Sequence, residues 1–187
     1  MLQRIEDIDA ALVDRLQFSA FKYFLKYSNP ENGLVADTSI GGVPASIAAV
    51  GFALSSYPVG VERCWITRKE AAERTVNTLR FFAEARQGEE RHATGHRGFF
   101  YHFLHMDTGN RAWNSELSTI DTALLIAGIL TSAQYFDRPD EIETEIRQLA
   151  TFIYERVDWR WALNKGDTIS MGWKPSSGFL RWRYHGF

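Results

Sequence analysis

The 187-residue sequence predicts an all-α fold in which paired helices form two layers. Five segments place apolar residues at three- and four-residue steps, and turn residues separate these segments. The five segments also alternate along the chain between nearly all-apolar and two-faced. Because an ordinary bundle would make most of its helices similarly two-faced, the alternation favours inner helices lined by outer helices in a double-layered ring.

The first two helices show this alternation. The first is predicted over residues 9–27, with an apolar stripe on one side. We expect the second over residues 44–57, because Pro44 is favoured in a first helical turn and Pro58 should end the helix. Residues 45–54 are apolar on nearly every side. The second helix is therefore predicted to be buried all round.

A third helix and an aromatic segment follow. Thr67 and Glu70 have the spacing of a capping box, which predicts that a helix opens there and continues over residues 67–86. The aromatic and β-branched character of residues 99–104 is typical of a short strand. Together with Trp113, this strand is expected to form a hairpin-like insertion between helices.

The last two helices close the regular part of the chain. The fourth is strongly apolar and is expected to begin at Ser115 or Ser118 and to end near Phe136. The fifth is amphipathic and is predicted over residues 140–156. Residues 159–187 are rich in Gly and Trp and are predicted to be irregular.

Composition excludes several classes of function. A net charge of −2 provides no basic surface for nucleic acid, so no nucleic-acid partner is expected. No apolar run reaches the length of a membrane span, and the charged N-terminus lacks the apolar centre of a secretion signal. Cys64 is the single cysteine, which rules out an intrachain disulfide and a thiolate metal cluster.

The junction before the fourth helix carries the main candidate residues. Glu116 precedes the helix near its positive end, where a carboxylate is stabilised in its charged form. This favours a base, a nucleophile or an acceptor for sugar hydroxyls over a general acid. If Ser118 is the N-cap, Asp121 completes a Ser-x-x-Asp box. Asp121 can therefore be a structural cap or an inward-facing site residue, and the sequence leaves both open.

Other candidates come from loops. Asp37 lies in a connection between an outer and an inner helix, where it can face a cavity or satisfy a turn. Trp residues in irregular segments suit the flat face of a sugar ring as well as ordinary packing. The spacing of the four histidines within residues 92–105 fits no established ligand pattern, so no metal site is predicted. No cofactor is expected, since no phosphate-binding glycine loop occurs.

Short motifs over almost the whole chain carry a family resemblance. They are residues 33–39 (GLVADTS), 45–54 (ASIAAVGFAL), 60–63 (GVER), 65–68 (WITR), 98–104 (GFFYHFL), 115–125 (SELSTIDTALL), 156–159 (RVDW) and 170–173 (SMGW). On these motifs the sequence resembles the bacterial glycoamylase-like family, which includes endo-β-1,2-glucanases. The resemblance implies a six-hairpin α/α toroid and an oligo- or polysaccharide partner. Members of the family are often periplasmic or exported, and the sequence leaves the location of this chain open.

The resemblance also implies an activity, which is hydrolysis of β-glucan by an inverting acid and base, with β-1,2-glucan as the candidate substrate. Such enzymes hold their two carboxyl groups about 6.5–9.5 Å apart to admit water. The expected catalytic residues are Glu116 and Asp37. The expected substrate-binding residues are Trp113, Asp121, Trp173 and His102.

Three departures from the family pattern weigh against activity. Ser176 stands where the pattern Trp-x-Pro-Glu-Ser-Gly-Phe has Glu, and His105 stands where Asp is common. The chain also stops at Phe187, so residues 1–187 are expected to form one glycoamylase-like domain without the second half of the toroid. The alternative hypothesis is a non-catalytic carbohydrate-binding or structural fragment. An exposed apolar edge on such a fragment would favour a homo-oligomer.

Overall fold

The computed structural model of the chain describes residues 2–185, and describes side chains over residues 9–185. Within this part, six helices and seven short strands follow one another along the chain. The helices are α1 (Leu2–Lys26), α2 (Ile47–Glu62), α3 (Arg68–Glu84), α4 (Thr119–Tyr135), α5 (Glu141–Glu155) and α6 (Trp159–Ala162). The strands are β1 (Ala45–Ser46), β2 (Gly95–His96), β3 (Phe99–Tyr101), β4 (Phe103–Leu104), β5 (Leu117–Ser118), β6 (Gly172–Lys174) and β7 (Gly178–Phe179).

The helices pack in pairs, as the two-layer prediction expects, but α2 is not buried all round, because Phe52 and Val59 are 53% and 47% exposed. The two most apolar helices, α2 and α4, lie against each other over most of their length, and the amphipathic helices α3 and α5 form a second pair. Gly51 and Gly128 face each other where α2 crosses α4. With no side chain at either position, the two backbones approach more closely than any larger residue would permit.

Replacing Gly128 with Ala tests this close approach. A Cβ at Gly128 would overlap the backbone carbonyl of Gly51, so we expect a loss of about 1–3 kcal/mol in the free energy of unfolding. Helix propensity alone predicts the opposite sign, a gain of about 1 kcal/mol. Urea denaturation would decide between them, with the exposed Thr131→Ala as the control, expected within about 0.5 kcal/mol of wild type. A stabilised Gly128→Ala variant would contradict the proposed crossing.

Two small sheets correct the prediction of a purely all-α fold. β1 pairs with β4, and a five-stranded antiparallel sheet has the order β2-β3-β5-β6-β7. The strand predicted over residues 99–104 is confirmed as β3 and β4, which are interrupted at His102. Each strand spans two or three residues, which is too short to produce a recognisable alternation of apolar and polar residues. The sequence therefore could not reveal that β2, β5, β6 and β7 join β3 in one sheet.

The predicted bounds of the second helix were wrong at both ends. Residues Ala45 and Ser46 form β1, so α2 begins three residues after Pro44. Pro58 lies inside α2 and does not end it. A proline removes the hydrogen bond to the carbonyl four residues earlier, here that of Leu54. Ser132 Oγ on α4 donates to this carbonyl over 2.9 Å, so the neighbouring helix supplies the missing donor.

Three predicted helix starts are confirmed by their caps. Thr67 Oγ1 accepts from the backbone N–H of Glu70 at 3.1 Å, and Ser118 Oγ accepts from that of Asp121 at 3.2 Å. Asp140 caps α5 in the same way. α1 begins earlier than predicted, at Leu2.

Several large apolar side chains are exposed on the helices. They are Leu12, Val13, Leu16 and Phe18 on α1, Phe52 and Val59 on α2, Ile120 and Leu130 on α4, and Phe152 and Tyr154 on α5. Association through these side chains stays a prediction. None of the helices described by the structure combines the length and the apolar character that crossing a membrane requires.

Candidate functional site

Two strands and a helix start bring three predicted site residues together. β3 and β5 pair so that Tyr101 lies opposite Leu117, and the backbone N–H of His102 donates to the carbonyl of Glu116 over 2.9 Å. β5 leads directly into α4, whose first turn carries Asp121. Residues separated by 14 to 19 positions in sequence thus become neighbours at the mouth of an apolar helix.

His102 lies between two carboxylates. Its Nδ1 is 3.1 Å from Glu116 Oε1, and its Nε2 is 3.6 Å from Asp121 Oδ2. The His102 ring also stacks on Phe103, with ring centroids 3.9 Å apart and an interplanar angle of 13°. All three polar side chains are partly buried. Stacking therefore fixes the orientation of the imidazole ring, and a carboxylate lies near each of its nitrogens.

Glu116 is held in its ionised form. The hydrogen bond from His102 lowers the pKa of Glu116 to about 2, against a smaller opposing effect of burial. Its own backbone N–H, the charge on His102 and the charge on Lys174 act in the same direction as the hydrogen bond. A carboxylate with so low a pKa can accept a proton or a sugar hydroxyl hydrogen bond, but it cannot serve as the proton donor at neutral pH.

The histidine shows the complementary effect. The hydrogen bond to Glu116 raises the pKa of His102 above its ordinary value of 6.5, although burial opposes this. The negative charges of Asp121, Glu116 and Asp37 add to the increase. Asp37 thus contributes to the electrostatics of the same cluster, while its own side chain is exposed in the loop before β1.

A titration tests this ion pair. In proton–nitrogen NMR spectra, we expect the His102 ring to titrate above 6.5, and the Glu116→Gln variant to move that midpoint downward. The ion pair should stabilise the folded protein at pH values above the range in which Glu116 titrates and below the range in which His102 titrates. The His102 contribution is complete below 6.5 and is lost as the pH rises through the folded value. The Glu116 contribution is present above about 4.5 and is lost as the pH falls towards 2.

The matched control for this titration is Glu155→Gln, which removes an exposed carboxylate at the end of α5. It should leave the His102 midpoint where it is in the wild type. A wild-type midpoint at or below 6.5 would contradict the ion pair.

The Asp121 carboxylate contacts the N-cap of α4 through the hydroxyl of Ser118, whereas the backbone cap itself is formed by Ser118. Ser118 Oγ donates to Asp121 Oδ2 over 2.5 Å while accepting from the Asp121 backbone N–H. The same Oδ2 is the atom nearest to His102 Nε2. Capping and participation in the cluster are therefore compatible, because one carboxylate oxygen serves both contacts.

Trp113 is presented by a strained turn. Trp113 and Asn114 have φ values of 52° and 56°, a left-handed conformation that is uncommon outside glycine. Arg111 holds the turn, since its Nε donates to the Ser115 carbonyl over 2.6 Å and its Nη2 donates to the Asn114 carbonyl over 2.9 Å. Trp113 remains 65% exposed and contacts Phe103 edge-on. A flat aromatic face is thus offered to solvent one ring away from His102.

A cavity of about 810 Å³ lies beside Trp113. Both positions at which the sequence departs from the glycoamylase-like pattern, His105 and Ser176, line this one cavity. The remaining lining residues are Glu89, Arg91, His92, Asn110, Arg111, Asn114 and Pro175.

Trp173 belongs to a different environment. Its ring stacks on His96 at a centroid distance of 4.9 Å and meets Trp161 edge-on at 5.6 Å. In β6 it is followed by Lys174, which points to the other side of the sheet and whose charge acts on Glu116. The structure thus places Trp173 in an aromatic cluster and does not bring it to the His102 cluster. Its role as a sugar platform stays a prediction.

Sequence reasoning missed two cations that shape the site. Arg111 acts through backbone carbonyls, for which no sequence pattern exists, and Lys174 acts across the sheet from β6 to β5. Alternation along a strand could have paired Lys174 with Glu116, but only once the strand partners were known. Within the described part of the chain, no group of three or more His, Cys, Asp or Glu side chains is arranged to hold a metal ion.

Comparison with known proteins identifies relatives. No protein-family model matches the chain. Over 181 residues it is 27% identical to the exo β-1,2-glucooligosaccharide sophorohydrolase (non-reducing end) of Parabacteroides distasonis, which covers 92% of this chain and 24% of that enzyme. The chain therefore spans about a quarter of the length of this relative.

Solved structures show the same fold. A glucoamylase-like protein from Bacteroides uniformis superposes with a TM-score of 0.81 at 26% identity, covering 91% of this chain and 41% of the other. A β-1,2-glucanase from Parabacteroides distasonis superposes with a TM-score of 0.80 at 25% identity, covering 91% of this chain and 24% of the other. An endo-β-1,2-glucanase from Chitinophaga pinensis gives 0.82, covering 95% and 44%, and at 19% identity it shows likeness of fold alone. The resemblance to glycoamylase-like proteins and β-1,2-glucanases is thereby confirmed.

Proposed function

We propose that this chain carries a β-glucan site of the glycoside hydrolase type, in which Glu116 acts as the base. The observation that supports this most strongly is the contact between His102 and Glu116, which keeps the carboxylate ionised at the edge of an aromatic surface. Base catalysis needs a carboxylate that is ionised and within reach of water. Glu116 is partly exposed and meets both conditions.

The proposed reaction is hydrolysis with inversion. Glu116 takes a proton from a water molecule, whose oxygen bonds to the anomeric carbon as the bond from that carbon to the glycosidic oxygen breaks. A second carboxyl group protonates the departing oxygen. Since Glu116 is ionised, the role of donor falls to the second candidate, Asp37, which would have to act in its protonated form.

The proposed substrate is β-1,2-glucan. One relative by sequence is a β-1,2-glucooligosaccharide sophorohydrolase, and one solved structure with the same fold is a β-1,2-glucanase; this chain spans about a quarter of each. Trp113 would stack on a sugar ring, Asp121 and His102 would shape the site around it, and Trp173 would extend it. The paired helices would form part of an α/α toroid.

A second function, saccharide binding without cleavage, is favoured by one observation. Two positions that carry acids in the glycoamylase-like pattern hold His105 and Ser176 here, and both line the cavity beside Trp113. A site lacking a proton donor would bind glucan and release it unchanged.

The test of this proposal combines turnover and binding. The chain is incubated with linear β-1,2-glucan and, in parallel, with β-1,3-glucan, and new reducing ends are measured. The hydrolase proposal expects them only with the β-1,2-linked polymer. Trp113→Ala should weaken binding of β-1,2-glucooligosaccharides about 3- to 10-fold, while Trp182→Ala, which removes an equally exposed Trp outside the cavity, should not. Binding without new reducing ends would support the second function, and absence of both would contradict each.

A further inference from the structure

We propose that the cavity beside Trp113 binds the anionic group, a carboxylate or a phosphate, of a charged saccharide. The inference rests on the proposed saccharide site and names the chemical class of its ligand. It depends on the charge and placement of Arg91 and Arg111, neither of which is assigned a proton transfer in the proposed hydrolysis.

Three segments of chain enclose the cavity. They are the loop that carries Glu89, Arg91 and His92, the turn from His105 to Asn114, and the tip of the β6–β7 hairpin at Pro175 and Ser176. A volume of about 810 Å³ can hold one or two sugar rings. Trp113 supplies an apolar wall, and most of the other lining side chains are polar.

The charges around this cavity are predominantly positive. Arg91 and Arg111 contribute two cations, whereas Glu89 is the single acid among the lining residues. Glu89 also lies 4.0 Å from the ring of His96, outside the cavity lining. His92 and His105 add ring N–H donors. An anion in the cavity would therefore meet more donors and cations than competing carboxylates.

Arg111 is held ready for an anion. Its guanidinium lies over the ring of Tyr101 at 4.5 Å, and its Nε and Nη2 are bonded to backbone carbonyls. Its Nη1 has no hydrogen-bond partner among the described residues. Burial lowers the pKa of Arg111, which means that the charged guanidinium is incompletely compensated where it stands. A bound anion would supply the missing compensation through a charge-assisted hydrogen bond.

Arg91 is also available to bind an anion, for a different reason. Its side chain is exposed and makes no hydrogen bond or ion pair with any residue over the range 9–185, whereas Arg68, Arg80 and Arg86 are each paired with a glutamate. An exposed arginine at a cavity rim is free to close on a ligand. The guanidinium fork fits both carboxylate and phosphate.

His105 and Ser176 explain why this cavity can accept an anion. Carboxylates at these two positions would face the cavity and repel negative charge, because both positions line it. The two replacements therefore alter the electrostatics of the binding surface as well as removing acids. Trp113 and the two arginines line the same cavity, so a sugar ring on Trp113 would share that cavity with both cations.

Calorimetric titration of the whole chain with matched probes tests the inference. One pair is sophorose and its aldonate, in which the reducing end is oxidised to a carboxylate. The other is glucose and glucose 6-phosphate. At low salt we expect at least one charged probe to bind about tenfold more tightly than its neutral partner. The aldonate arm and the phosphate arm together identify which anion is recognised.

Arg91→Ala should reduce this preference to about threefold or less, and Arg15→Ala, which removes an exposed arginine from α1, should leave it unchanged. Arg91 makes no contact that the fold requires, so its replacement should not unfold the protein. Equal affinity within both probe pairs, no binding of either charged probe, or an unchanged preference in Arg91→Ala would overturn the inference.

The same titrations separate this inference from the proposed hydrolysis. Glu116→Gln should retain the preference for charged probes even where turnover is lost. Cleavage of neutral β-1,2-glucan by a chain with no such preference would leave the hydrolase proposal standing and reject the anion site. Tighter binding of a charged probe by a chain that does not cleave β-1,2-glucan would support the anion site and reject the hydrolase proposal.

Discussion

Replacing Glu116 with Gln is expected to lower the rate of β-1,2-glucan hydrolysis by about 10²- to 10⁴-fold, the range typical of removing a general base. The amide is similar in size to the carboxylate but cannot take a proton from water. It also removes the acceptor whose hydrogen bond raises the pKa of His102, since the two side chains are 3.1 Å apart. Reducing-end release at saturating glucan measures the effect.

Binding separates a loss of chemistry from a loss of structure. The Glu116→Gln variant should still bind β-1,2-glucooligosaccharides, because Trp113 and its supporting Arg111 are unaffected. Glu155→Gln serves as the matched control and should cleave at the wild-type rate. If Glu116→Gln retained more than about half of the wild-type rate, Glu116 could not be the base.

Arg68→Ala should cause the largest loss of stability, about 3–5 kcal/mol in the free energy of unfolding. Arg68 Nε and Nη2 donate to the two oxygens of Glu143 over 2.7 and 2.8 Å, and the side chains are 19% and 4% exposed. Arg68 Nη2 also donates to the Tyr135 carbonyl at the end of α4. Its removal leaves a buried carboxylate without its cation where α3, α4 and α5 meet.

A second pair between the same helices provides the control. Arg80 and Glu145 make two hydrogen bonds of 2.6 Å between α3 and α5, but both are substantially exposed. Arg80→Ala should therefore cost only about 0–1 kcal/mol. Guanidinium denaturation followed by circular dichroism measures both variants. Similar losses for the two would show that burial does not decide the strength of these pairs.

The stabilisation by the Arg68–Glu143 pair should depend on pH in a defined direction. The hydrogen bonds from Arg68 lower the pKa of Glu143. The stabilisation is therefore complete above the ordinary glutamate range and is lost as the pH falls through the depressed value. The difference in the free energy of unfolding between wild type and Arg68→Ala should become smaller in acid and stay constant around neutral pH.

The helices could be predicted from sequence because their signals are local. Thr67, Ser118 and Asp140 cap their helices through contacts three residues away, which a short window of sequence contains. The passage of α2 through Pro58 could not be predicted in this way. Its missing hydrogen bond is replaced by Ser132, which lies 78 residues from the carbonyl it supplies.

The site was predictable only in part, for the same reason. Glu116 and Asp121 were identifiable from the start of the apolar α4, and the capping arrangement of Asp121 followed from Ser118. Their partner His102 depends on the register of β3 with β5, two strands of three residues or fewer. The cationic cavity depends on three loops that are far apart in sequence, and only the three-dimensional structure brings His105 and Ser176 together.

One NMR experiment tests the central claim, that the segment from Trp113 to Asp121 is a β-glucan site, most directly. Linear β-1,2-glucan is added to the isotope-labelled chain, and the anomeric signals of the glucan and the ring signals of Trp113 and His102 are followed over time. We expect the Trp113 and His102 signals to shift on addition and new reducing ends to appear first as the α-anomer, as inversion requires. Unshifted Trp113 and His102 signals together with an unchanged glucan spectrum would contradict it.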